Sequence, residues 1–337
     1  MPETVNLSLD EARALSLAAL EAHGANRANA AAVTDIMIRA EQDRCASHGL
    51  FRLQGYCASL RSGKVNGAAS PKLRDIAPGV LRVDGDGGFA PLALDTGLPA
   101  LAERARQQGI AALGLVDIYH FAALWPEVET LAEAGLSGLA FTQAAPMVAP
   151  AGGTKPFFGT NPMAFSWPRP GKDPYVFDQA SAAMARGDVM IHARDGKKVP
   201  IGTGIDPDGN PTEDPNAVLA GAQLPFGGYK GSNIAMMVEL LAGGLIGSVF
   251  SYEAGRLDNK DGGPPIGGEI VIAMDPARFG DAERWADHCE ALFAEATAMD
   301  GVRLPGQRRR KARLETPETG IELAKSLYET VTELANG

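Results

Sequence analysis

Ser47-His48-Gly49-Leu50-Phe51-Arg52 holds the first side chains able to do chemistry. Read as helix, this stretch puts His48 and Arg52 four residues apart on one face, while Leu50, Leu53, Cys57 and Leu60 turn the other way into a core. Such a face offers an imidazole that can give up a proton near neutral pH, beside a guanidinium fork matched to a carboxylate. A solvated helix face with an incidental histidine satisfies the same spacing. Ser47 beside His48 does not make a hydrolytic triad, because neighbours on a helix point about 100° apart. The Gly-x-Ser-x-Gly elbow is also absent.

Other groups are less specific. Gly227-Gly228-Tyr229-Lys230-Gly231-Ser232 precedes an apolar helix, where free amides and a lysine can face phosphate, although a tight turn reads the same. Arg303-Leu304-Pro305-Gly306-Gln307-Arg308-Arg309-Arg310-Lys311 is a dense basic run that suits a 2′-phosphate or a solvated tail. Gly159-Thr160-Asn161-Pro162 frames a loop able to orient a carboxylate. Asp178 and Asp188 flank Ala180 and Ser181, and a buried aspartate there would fix one tautomer of His48. No Gly-x-Gly-x-x-Gly follows a strand, and Gly85-Asp86-Gly87-Gly88 is wrongly spaced for a dinucleotide fingerprint. No His, Cys or Asp spacing matches a metal site, so no catalytic metal is expected.

These residues need a scaffold, and 337 residues are enough for two domains with a large core. The apolar share of 45% and charged share of 21% are those of a globular protein. A net charge of −10 disfavours nucleic acid, whose binding needs clustered cations. Cys45, Cys57 and Cys289 are an odd set without zinc or Cys-x-x-Cys spacing, which reads as reduced thiols. No run approaches the ~20 apolar residues of a membrane span and the first residues have no leader pattern, so a cytoplasmic location is expected.

Ser8-Leu9-Asp10-Glu11 has capping-box form and opens a helix ending near Gly24. Asn26 caps a second helix with Val33, Ile36, Met37 and Ala40 on one stripe. Leu73 to Val83, Ile110 to Val116, Leu136 to Thr142 and Glu269 to Met274 read as strands. Pro99 to Gln108, Leu124 to Ala134, Ile234 to Leu245 and the segment through Trp285, Cys289 and Phe293 read as helices. Thr316-Pro317 predicts the start of a last helix carrying Ile321, Ala324, Leu327, Val331 and Leu334, with the two helical ends of the chain packed together.

In order, Ser47-His48-Gly49 with Arg52 and Tyr56, Ala149 to Gly153, Gly159 to Pro162, Asp178 with Ser181, and Gly228 to Gly231 before Val238 to Leu241 resemble the malate/L-lactate dehydrogenase type 2 family over nearly the whole chain. Thr142-Gln143-Ala144, Phe157-Phe158-Gly159-Thr160 and Lys230-Gly231-Ser232-Asn233-Ile234-Ala235 are most similar to its Δ1-piperideine-2-carboxylate/Δ1-pyrroline-2-carboxylate reductases.

The resemblance implies an α/β fold with a non-Rossmann, mixed-sheet NADP-binding domain at 76–294. A helical part at 1–75 would pack with a C-terminal basic loop and helix at 295–337, in a homodimer. It implies NADPH, with NADH weaker, as cofactor, and reduction of a cyclic imino acid to L-pipecolate or L-proline. The alternatives are oxidation of a 2-hydroxy acid such as malate, lactate or ureidoglycolate on the same fold, and a non-enzymatic ligand-binding module. Carried onto matching positions, His48 is the proton donor, supported by Ser47 and Asp188, and Arg52 and Thr160 hold substrate. The cofactor lies along His120, Phe121, Ala122, Ala123 and Leu124, along Asp178, Gln179 and Ala180, and by Tyr229, Lys230, Arg303, Arg308 and Arg309.

Overall fold

The capping box forms as expected: Ser8 Oγ accepts from the Glu11 amide at 3.2 Å, and Glu11 accepts in return from the Ser8 amide at 2.8 Å. This launches α1 (Leu9–Ala22), and the Asn26 side chain caps α2 (Arg27–Gln42). The computed structural model describes residues 3–337. β1 (Thr4–Leu7) precedes α1, and α3 (Leu53–Arg61) follows α2. Between α2 and α3 the expected continuous helix is broken into two single 3₁₀ turns, Ala46–His48 and Leu50–Arg52. Gly49, at φ −91° and ψ −141°, is the break. The expected core side is nevertheless kept, with Leu50, Leu53, Cys57 and Leu60 buried.

β2 (Lys72–Ala77) and β3 (Val80–Phe89) form a hairpin, then α4 (Ala90–Gln108) leads to β4 (Ile110–Tyr119). The helix expected from Pro99 starts nine residues earlier and carries Pro99 within it. α5 (Trp125–Glu133) leads to β5 (Ser137–Thr142), after which β6 (Met163–Trp167) and β7 (Tyr175–Gln179) extend the sheet. Those two strands were not anticipated.

α6 (Arg186–Arg194) and α7 (Pro215–Ala220) flank a small sheet of β8 (Gly204–Ile205), β9 (Pro211–Thr212) and β10 (Ala222–Gln223). α8 (Tyr229–Val238) runs into a π-helical turn at Glu239–Leu245, then α9 (Ser251–Leu257) and β11 (Ile266–Met274). The short α10 (Pro276–Phe279) and then α11 (Trp285–Thr297) precede α12 (Gln307–Thr319), β12 (Ile321–Ala324) and α13 (Lys325–Asn336).

The main sheet has the order β2-β3-β4-β11-β5-β6-β7, and only β3 and β4 run parallel. α4 and α5 cover one face through Leu94, Leu101, Val128 and Leu131 against Leu113, Leu115 and Val271. On the other face Val238 and Ala242 pack on Phe141 and Ile270. A separate core joins both ends of the chain, with Leu20, Met37, Leu53, Tyr56 and Phe89 packed against Leu323, Val331 and Leu334.

That core corrects the reading of the C-terminus. Thr316 does not cap a helix; it lies near the end of α12, where its hydroxyl donates to the carbonyls of Gln42 and Ala312. Gly320 at φ +76° ends α12, and Ile321 to Ala324 then pair antiparallel with β1. Ile321 and Leu323 point inward at period two, so strand pairing across the molecule overrides a helical spacing that Ile321 and Ala324 also fit. No helix is long and apolar enough to cross a membrane among the described residues.

Candidate active site

The two 3₁₀ turns are held from behind by Glu41 of α2, which is buried and accepts the Leu50 amide at 2.6 Å. Burial pushes the Glu41 carboxyl up to about 7, with the Leu50 amide opposing. The carboxylate lies against Gly49, where a Cβ would sit 2.0 Å from Glu41 Oε1. Retreat of Glu41 would break its 2.6 Å bond from the Leu50 amide, so Gly49→Ala is expected to cost about 1–3 kcal/mol in denaturant unfolding and to displace His48 and Arg52. An unchanged midpoint with full activity would count against this account of the turn.

His48 and Arg52 both line a cleft of about 910 Å³, as Ser47, Thr160, Asp178, Asp188 and His120 to Leu124 do. The cleft therefore gathers residues from the helical core and from the sheet. Ser47 Oγ lies 3.1 Å from His48 Nδ1 and fixes that side of the ring. Burial first, then the Arg52 charge and His120, push His48 down to about 3, so the ring is a neutral imidazole. Asp188 sits exposed in the cleft at the first turn of α6 and makes no hydrogen bond to His48. Its field instead supports the charge on Arg52, against the stronger opposing effect of burial.

Arg52 Nε donates to the Ser47 carbonyl at 2.7 Å, and its guanidinium lies 4.9 Å from the Phe121 ring centroid. Among the described residues no carboxylate reaches salt-bridge distance of Arg52, so its charge is available to an anionic ligand. Gly187 allows this packing, since a Cβ there would lie 2.9 Å from the Ser47 Cβ and 3.1 Å from Arg52 Nη2.

Across the cleft, Asp178 accepts the Leu124 and Trp125 amides at 2.8 and 3.2 Å and so ties β7 to the start of α5. Burial raises Asp178 to about 6 against those bonds. Thr160 is placed by its own carbonyl, which accepts from the Ser181 hydroxyl and amide at 2.9 Å. Asn161, buried at φ +38°, donates to Glu239 and to the Ala235 carbonyl and pins that loop to α8.

The basic run divides by role. Arg310, and Arg313 just beyond the run, are engaged by Glu129, Asp173 and Asp43. Burial alone would push Glu129 up, but Arg313, Arg310 and Arg39 hold it below the usual carboxylate range. Arg309 stacks 4.9 Å from the Trp125 ring. Arg303 and Arg308 stay exposed beside a depression of about 320 Å³, which shares Asp178 and Arg309 with the main cleft.

The structure does not bring Tyr229 or Lys230 into the cleft lining; both are exposed at the start of α8. Asn233 is likewise exposed on that helix and outside the lining.

A model of the malate/L-lactate dehydrogenase family matches residues 7–332. The chain belongs to that family. Within it, the chain is 51% identical over 331 residues to the Δ1-pyrroline-2-carboxylate reductase of Ancylobacter novellus, covering 97% of each. It is 49% identical to the Δ1-pyrroline-2-carboxylate/Δ1-piperideine-2-carboxylate reductase of Pseudomonas aeruginosa, covering 98% of this chain and 99% of that one. The crystal structure of Δ1-piperideine-2-carboxylate reductase from Pseudomonas syringae pv. tomato superposes with a TM-score of 0.92 at 40% identity, over 98% of this chain and 99% of that one.

Sequence reading missed several cleft residues of this family member. Arg44 and Arg186 add guanidinium groups to the lining, and Gln143, quoted above for its resemblance only, spends its amide on the Val249 carbonyl and the Gly268 amide. Glu127 and Glu269 lie buried behind His120. The last pair is 142 positions apart in the chain (269 − 127), and no local spacing marks it.

Proposed function

We propose that this protein reduces Δ1-pyrroline-2-carboxylate and Δ1-piperideine-2-carboxylate to proline and pipecolate, using NADPH, with His48 and Arg52 at its centre. The observation that carries the reading is the unpaired guanidinium of Arg52 beside a neutral imidazole in one cleft, in a chain about half identical to named cyclic imino-acid reductases. Arg52 can hold the ring carboxylate bidentately while Thr160 closes on the same group. His48 faces the ring nitrogen as a neutral partner, able to accept from N–H once the nitrogen is protonated.

The residues fit a nicotinamide cofactor held by a sheet without the doubly wound parallel order. His120 to Leu124 and Asp178 to Ala180 line one continuous wall, and Arg303, Arg308 and Arg309 surround the adjoining depression. Bound there, the cofactor supplies hydride to the imine carbon. The free Arg303 and Arg308 suit a 2′-phosphate, so replacing both by alanine is expected to raise the KM for NADPH about 10- to 100-fold and leave NADH little changed. Equal weakening of both cofactors would remove the phosphate role. The two-fold partner of a homodimer and a cytoplasmic setting belong to the same reading.

A substrate panel tests the whole reading. Purified enzyme with NADPH should turn over both cyclic imines and leave 2-keto acids nearly untouched. Keto-acid reduction without imine turnover would overturn it in favour of a hydroxy-acid dehydrogenase.

A further inference from the structure

Behind the cleft wall, buried side chains from three elements converge. His120 follows β4, Glu127 lies on the first turn of α5, and Glu269 sits on β11 between Leu115 of β4 and Thr142 of β5. The register between β4 and β11 shifts between Gly267 and Glu269, the kind of bulge that re-aims a side chain. All three side chains are at most 3% exposed, and His120 Nε2 and the four carboxylate oxygens lack a hydrogen-bond partner.

Two needs are therefore unmet. Charge is one: two buried carboxylates lie together, and among the described residues no lysine or arginine reaches salt-bridge distance of either. Spacing is the other. His120 Nε2 stands 3.5 Å from Glu269 Oε2 and 4.0 Å from Glu127 Oε1, and one donor atom from each residue lies within 4.8 Å of the other two. Both gaps exceed the ~2.7–3.2 Å of a hydrogen bond from nitrogen to oxygen. Moving a proton among the three groups closes neither gap. An ion between them does, because bonds of about 2.0–2.2 Å at tetrahedral angles hold donor atoms about 3.4 Å apart. The first pair already has that spacing, and the second reaches it with a small shift of the Glu127 side chain.

We propose that His120, Glu127 and Glu269 bind one divalent transition-metal ion that clips β4, α5 and β11 together behind the cleft wall. One imidazole and two carboxylates, with no thiolate, suit zinc or manganese(II). A doubly positive ion cancels both carboxylate charges and takes the Nε2 lone pair of a neutral ring. His120 lines the cleft, whereas Glu127 and Glu269 do not, so the ion sits behind that ring and acts as a structural clip. Ligation through Nε2 fixes the ring at the start of the wall that runs from His120 to Leu124. The ligands come from three separate elements, which is why no local spacing announces the site. No step of the imine reduction passes through this ion, and the inference does not depend on which substrate the cleft takes.

The test uses untagged full-length protein, incubated with zinc or manganese(II) and then desalted. Elemental analysis should find about one ion per chain in wild type and about a tenth of that in Glu127→Gln and Glu269→Gln. Melting adds a readout that a pair of carboxylates serving packing alone would not move. Stripping the ion from wild type with a chelator should lower Tm by about 5 °C. Under chelator, Glu269→Gln should melt at or above wild type, because the amide removes a bare buried charge; with metal present the order should reverse. A wild type that stays metal-free with both ions, variants that load as fully as wild type, an ion that binds without raising Tm, or the same order of melting in both conditions would each overturn the proposal. Imine turnover enters none of these measurements, so a failure of the proposed activity and a failure of the metal site are told apart.

Discussion

His48→Ala is expected to lower kcat by about 10²- to 10⁴-fold while NADPH still quenches tryptophan emission with nearly its original affinity. The separation follows from where the ring sits. His48 is fixed by Ser47 at 3.1 Å and meets Trp125 edge-on at 6.5 Å, on the helical side of the cleft, while the proposed cofactor wall runs from His120 to Leu124 and Asp178 to Ala180. Truncation removes the group facing the substrate nitrogen without touching that wall. Because burial and Arg52 keep the ring neutral down to about pH 3, wild-type kcat/KM should show no limb from His48 between about pH 6 and 8. A variant that loses cofactor affinity in parallel with turnover would refute this placement.

The second large effect is on substrate capture. Arg52→Lys keeps the charge but loses the planar fork, and a lysine cannot reproduce both the 2.7 Å bond from Nε to the Ser47 carbonyl and the lie of the guanidinium over Phe121. Exchanging a bidentate carboxylate contact for a point charge costs about 1.5–3 kcal/mol. The KM for the imino acid should therefore rise about 10- to 100-fold, with kcat within a few-fold of wild type. A fall in kcat at constant KM would mean that Arg52 acts on the transition state rather than on ground-state binding.

Much of this was legible in the sequence where local chemistry decides. The Ser8 capping box, the Asn26 cap, the apolar stripe of α2 and the strands near 110, 137 and 269 all follow from nearest-neighbour rules. So does the grouping of Ser47, His48 and Arg52, although the backbone that delivers them is two turns hinged at Gly49 rather than one helix.

What stayed hidden is decided at long range. Ile321 to Ala324 fit a helical stripe, yet β1 captures them as a strand. Arg310 belongs to a run that suits phosphate until Glu129 and Asp173 claim it. Glu127 and Glu269 carry no local mark of burial, and become buried only when α5 and β11 close on the end of β4.

The position of β11 also bears on how the molecule assembles. Although β4 and β5 follow one another in the chain, they do not touch as strands; Ile266 to Met274 must insert between them, more than a hundred residues later. The hydrogen-bond ladder at the middle of the protein therefore waits for a high-contact-order event, the kind that sets slow folding rates. A fragment ending before residue 266 would expose two unpaired edges, which are templates for aggregation.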